Sequence, residues 1–95
     1  MYRLITKVVL TKKVIKELSS IPDFINDKLE VWIQTIEEIG IEEARKIPGF
    51  HDEPLKGKRK GQRSIRLNRS YRAIYVIRFD SWVFVEIIEV NKHDY

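Results

Sequence analysis

Residues 63–78, RSIRLNRSYRAIYVIR, decide the fold. Arg63-Ser64-Ile65-Arg66-Leu67 alternates polar and apolar residues, the signature of a strand buried on one face only. Asn68-Arg69-Ser70 has turn chemistry, and Tyr71 to Arg78 is a second strand rich in aromatic and β-branched residues. Asp80-Ser81 turns the chain again, and Trp82 to Val90 reads as a third strand. Connections this short join antiparallel neighbours, so the C-terminal part of the chain is a three-stranded meander.

Toward the N-terminus the period changes from two to that of a helix. Ile25, Leu29, Trp32, Ile33, Ile36 and Ile39 recur at helical spacing, with Asp27, Lys28, Glu30, Glu37 and Glu38 largely opposite. Ser20-Ile21-Pro22-Asp23 supplies start signals for this long helix, and Gly40 supplies a stop. Ile41 to Lys46 reads as one more turn before Pro48-Gly49. A shorter helix precedes it, capped by Thr11 and carrying Val14, Ile15 and Leu18 on one face. Residues 4–10, LITKVVL, suit a first strand. The expected architecture is α+β: an N-terminal strand, then two helices packed on one face of an antiparallel sheet that the meander completes. At 95 residues, the whole of 1–95 reads as a single domain, and Met1-Tyr2-Arg3-Leu4 as a native start.

Charge is the main functional signal. The net charge of +4 divides unevenly: residues 55–72 hold eight Lys or Arg and no acid, while the other 77 residues hold ten basic and fourteen acidic side chains. Ser64 and Arg66 share the strand face opposite Ile65 and Leu67, and Arg72 lies across the hairpin from them. Lys56, Lys58, Arg59 and Lys60 occupy the loop leading to that face. Arg63, Arg69 and Lys92 extend the basic surface. Such a platform concentrates polyanions through phosphate contacts and counterion release. On its own a charge run is also compatible with a solvated face that resists edge pairing. Tyr71 and Tyr75 fall on the side opposite Arg72, leaving few rings on the basic face for stacking on bases.

Several function classes are excluded or disfavoured. No stretch longer than six residues lacks a charged side chain, so no transmembrane helix is encoded. With no cysteine there is neither a disulfide framework nor a thiolate metal site, and a reducing cytoplasmic location fits. His51 and His93 have no partner at metal-ligand spacing, and Gly57-Lys58-Arg59-Lys60-Gly61 lacks the spacing of a nucleotide-binding loop. No metal or small-molecule cofactor is expected. Alone, His93-Asp94-Tyr95 reads as a polar tail and His51 as a loop residue.

Pro54-Leu55-Lys56-Gly57, Ser64-Ile65-Arg66-Leu67, Tyr71-Arg72-Ala73-Ile74-Tyr75 and Val90-Asn91-Lys92-His93-Asp94-Tyr95 together resemble the RelE/ParE superfamily, the toxins of type II toxin–antitoxin pairs. The resemblance covers nearly the whole chain and implies the same strand, helices and meander. It implies a ribosome-dependent mRNA endonuclease working by metal-free attack of a ribose 2′-hydroxyl on its own phosphate, with a cognate antitoxin, the ribosome and mRNA as partners. By position, Arg66 and Arg72 match the cations that hold the scissile phosphate. Lys56 and Lys58 match the loop facing ribosomal RNA, and His93 and Tyr95 match the C-terminal acid–base region. Ser64 stands where one member type has a lysine base. Glu53 is the nearest carboxylate to the YoeB-type glutamate base, without a secure match. The general base stays open between His93 and His51. A ParE-type gyrase inhibitor and a non-catalytic RNA-binding module are the alternatives.

Overall fold

A computed structural model describes residues 4–92. Its elements run β1 (Val8–Leu10), α1 (Lys12–Leu18), α2 (Asp23–Ile39), α3 (Ile41–Ala44), β2 (Glu53–Pro54), β3 (Arg63–Arg66), β4 (Tyr71–Phe79) and β5 (Val83–Lys92). One five-stranded sheet has the order β1-β5-β4-β3-β2. The meander is present as the alternation indicates, and the domain is α+β.

The sheet departs from the expected antiparallel form in three ways. β1 pairs parallel to β5, with Val8 opposite Val85 and Leu10 opposite Ile87, so the sheet is mixed. The helices between β1 and the meander return the chain in the same direction, which a short turn cannot do. Of residues 4–10, only Val8–Leu10 form strand. Glu53-Pro54 adds an unforeseen edge strand, antiparallel to β3, where proline's missing donor is tolerated.

Helix boundaries follow local chemistry. The Thr11 hydroxyl accepts from the Val14 amide at 3.1 Å, a cap worth about 1 kcal/mol. Ser20 does not cap α2. Pro22 takes that position without a side-chain bond, while Ser20 donates to the Glu17 carbonyl. Gly40, at φ +84°, ends α2 and begins α3; a Cβ there would meet Leu4 at 3.4 Å in a backbone region that favours glycine. Among the described residues, no helix is long and apolar enough to cross a membrane.

The core lies between α2 and one sheet face. Ile25, Leu29, Trp32 and Ile36 project from α2 onto Ile65, Ala73, Tyr75, Val85 and Ile87, all buried. Trp32 and Tyr75 meet with ring centroids 5.1 Å apart, as the helical stripe and strand alternation require. Trp82 belongs to the β4–β5 turn and is exposed, so the third strand starts one residue later than its sequence suggests.

A bulge in β5 sets the other face. Ile74 pairs with Glu89 but Tyr75 pairs with Ile87, leaving Ile88 as the extra residue. Simple alternation would place Glu89 on the same side as Ile87, against the helices. The inserted residue instead turns Glu89 to the open face beside Ile74.

Candidate nucleic-acid interface

Arg66 of β3 stands directly opposite Arg72 of β4 in the antiparallel register. Like charges in that relation repel, at a cost of some tenths of a kcal/mol to about 1 kcal/mol. Anions nearby offset the repulsion. Glu53, one strand away and opposite Ser64, brings its Oε1 to 3.3 Å from the Arg72 Nη1. Its side chain is 57% exposed, so it faces solvent beside the Arg72 guanidinium. The Arg66 Nε is buried and has no hydrogen-bond partner among the described residues. The result is two adjacent cations and one accessible carboxylate on the open sheet face.

Next to this cluster is a groove of about 230 Å³, floored by Ser64, Ile74 and Glu89 and walled by Leu55 and Arg59. Ser64, expected on the basic surface, is on the open face but only 2% exposed. The loop residues do not hang free: Gly57–Arg59 form a 3-10 turn, and the Arg59 Nη2 lies 3.1 Å from a Glu89 oxygen. Burial pushes the Glu89 carboxyl up, but hydrogen bonds from Arg59 and Lys13 outweigh it and hold the pKa below the usual carboxylate range.

The eight-cation segment is therefore less positive in three dimensions than in sequence. Arg59 pairs with Glu89, Arg63 with Asp52 and Arg72 with Glu53. Lys56, Lys58, Lys60, Arg66 and Arg69 have no acidic partner among the described residues. Lys56, Lys58, Lys60, Arg69 and Lys92 are exposed. Arg63 is placed apart from the platform, because its register partner is Tyr75, on the helix-facing side. There the Arg63 Nε donates to Asp52 Oδ1 at 2.7 Å, and the Tyr75 hydroxyl donates to Asp52 Oδ2 at 2.5 Å. The Arg45 Nε in turn donates to the Tyr75 oxygen at 3.2 Å. Burial and the Asp52 contact raise the Tyr75 phenol well above its ordinary pKa, so it stays a neutral donor.

His51 is exposed, ends a 3-10 turn in the left-handed region at φ 48°, and makes no side-chain bond to the arginine cluster among the described residues. His93 and Tyr95 lie outside the described residues. Glu53 is the carboxylate of this cluster that the sequence left without a secure match. The signal that finds it is its pairing as a strand, which two residues ending in proline do not advertise. Among the described residues, no group of three or more His, Asp or Glu is placed to hold a metal ion.

No family model matches the chain, and no curated protein matches it. Solved structures do. The YoeB/ParE toxin from Agrobacterium tumefaciens is 20% identical, with a TM-score of 0.66 over 93% of this chain and 99% of that one. The toxin–antitoxin complex RelBE2 from Mycobacterium tuberculosis is likewise 20% identical, at 0.66 over 92% and 96%. The YoeB–YefM complex from Staphylococcus aureus is 16% identical, at 0.62 over 98% and 100%. The chain has the fold of these toxins across essentially its full length.

Proposed function

We propose that this protein is a RelE/ParE-superfamily toxin of a type II toxin–antitoxin pair and a ribosome-dependent mRNA endonuclease. One observation carries the reading: Arg66 and Arg72 are held opposite each other at an energetic cost, with the Glu53 carboxylate 3.3 Å from Arg72. Paired cations beside an accessible base are what cleavage at a ribose 2′-hydroxyl needs. In this reading Glu53 takes the 2′-hydroxyl proton as the oxygen attacks the adjacent phosphorus. Arg66 and Arg72 stabilise the charge gathering on the phosphorane oxygens. The bond to the 5′ oxygen breaks, leaving a cyclic phosphate. The departing oxygen takes its proton from His93, since a histidine can exchange protons near neutrality, with Tyr95 as its partner. Lys56, Lys58 and Lys60 contact ribosomal RNA. This assigns Glu53 the base role, in preference to His51 or His93, because of its contact with Arg72.

The fold also supports a cognate antitoxin as partner, since one of the similar structures is a toxin–antitoxin complex and another a complex of YoeB with YefM. Induced expression without an antitoxin is expected to arrest growth, with primer extension showing cuts in translated mRNA. Glu53→Gln, an exposed and nearly isosteric change, is expected to slow cleavage about 100-fold, within the usual contribution of a general base, with the thermal midpoint unchanged. Continued translation with DNA damage after induction would refute the nuclease reading in favour of gyrase inhibition. Full activity of Glu53→Gln would remove the base assignment alone.

A further inference from the structure

The bulge at Ile88 turns a carboxylate into the middle of a basic groove, where alternation would not have placed it. Glu89 is only 17% exposed and is gripped from both sides. The Arg59 Nη2 reaches its two oxygens at 3.1 and 3.2 Å from the β2–β3 connection. Lys13 reaches Oε1 at 3.3 Å from α1. The Asn91 amide donates to Oε2 from the strand itself. One guanidinium nitrogen, an ammonium and an amide around two oxygens of one anion, with the Arg59 Nη1 held by Gln62 at 2.9 Å, form a donor set that serves a phosphodiester equally well. Both groups carry one negative charge over two terminal oxygens.

We propose that Arg59, Lys13 and Asn91 form a phosphodiester subsite for a single-stranded nucleic acid, and that Glu89 is its internal competitor. The proposal rests on the nucleic-acid reading of the open face but not on cleavage. Arg59 and Lys13 are 43% and 61% exposed, so both can swing from the carboxylate to an arriving phosphate without unpacking the core. The groove lined by Arg59, Glu89 and Asn91 is lined also by Arg72, with Ile74 and Leu55 as its apolar residues, so the subsite adjoins the arginine cluster. Glu89 makes the face bind strands less tightly than its number of cations implies. It also keeps Arg59 and Lys13 oriented when no strand is bound.

The test is equilibrium binding of a short single-stranded DNA oligonucleotide, which has the phosphates but no 2′-hydroxyl to cleave. Glu89→Gln is compared with Glu86→Gln. Glu86 pairs with Arg78 further along the same face, so its loss changes net charge equally. Glu89→Gln is expected to bind at least about threefold tighter than Glu86→Gln. Its salt slope should be steeper by about 0.7 for each released cation that finds a phosphate. Equal binding by the two variants would reduce Glu89 to a net-charge effect and overturn the subsite. Weaker binding by Glu89→Gln, with faster tryptic cutting at Lys56–Lys60, would show that Glu89 only braces the loop, and would overturn it too. Tighter binding by Glu89→Gln in a protein that neither arrests growth nor cuts mRNA would leave the subsite standing and remove the nuclease.

Discussion

Arg72→Ala is expected to lower mRNA cleavage on translating ribosomes by about 100-fold or more, and Arg66→Ala by a similar factor, with neither variant less stable by more than about 1 kcal/mol. The two halves of this result have one cause. Arg66 and Arg72 face each other across β3 and β4, where a pair of like charges opposes folding. Removing either relieves that repulsion, and the ion pair between Arg72 and the exposed Glu53 contributes at most about 1 kcal/mol. In the proposed cleavage the balance reverses, because charge that develops on a phosphorane would have two guanidinium groups to meet it. Losing one preorganised donor of this kind typically costs about 100- to 1000-fold in rate. Arg66→Lys should retain charge but lose the planar fork, giving about a tenfold loss. Primer extension with purified protein and programmed ribosomes measures the rates, and thermal unfolding measures the stability. Loss of activity only in step with loss of stability would show these arginines to be scaffold.

That cluster was half legible in the sequence. The alternation of residues 63–67 places Arg66 on the face away from Ile65, and a three-residue turn brings Arg72 across from it. Both inferences need only local periodicity. The acids that meet the basic segment are another matter. Asp52 reaches Arg63 across 11 positions, Glu53 reaches Arg72 across 19 and Glu89 reaches Arg59 across 30. These pairings depend on the register of β2 and on the β5 bulge, neither of which has a compositional signature. Glu53-Pro54 becomes a strand only because β3 offers it an edge. Glu89 leaves the core side only because Ile88 is extra. A run of eight cations in sequence therefore reads as a uniform platform, whereas the folded face is a graded one, with Arg66 and the loop lysines lacking an acidic partner among the described residues and Arg59, Arg63 and Arg72 already engaged. The parallel β1–β5 pairing was hidden for a similar reason, since a three-residue strand gives no periodicity from which to read direction.

Asp52→Ala is expected to cost about 3 kcal/mol of stability, a fall of roughly 12–24 °C in the thermal midpoint for a chain of this size. The Asp52 side chain is fully buried and is the acceptor for both Arg63 and Tyr75. Breaking a buried pair by deleting one partner leaves the other uncompensated, at about 3–5 kcal/mol. Arg63 keeps 25% of its side chain exposed and can recover some hydration, which places the expectation at the lower end. Asp52→Asn, which retains an acceptor, should cost about half as much. The partner test is Tyr75→Phe, which removes the hydroxyl but keeps the ring against Trp32. Its effect and that of Asp52→Ala should be less than additive by about 1 kcal/mol, because each removes the same bond. The Tyr75 phenol also gives this network a pH signature. Its pKa is raised by burial from an ordinary value of 10.0, so the native state holds the proton more tightly than the unfolded chain. The stability it contributes is complete below pH 10 and declines as pH rises above that value. Chemical denaturation from neutral to strongly alkaline pH should show that decline in the native protein and a flatter profile in Tyr75→Phe. Parallel profiles would mean that another group governs alkaline unfolding. Because Glu53 follows Asp52 directly, loosening this anchor should also move the Glu53 carboxylate away from Arg72. Asp52→Asn should then lose cleavage beyond what its stability predicts, even at temperatures where it is fully folded.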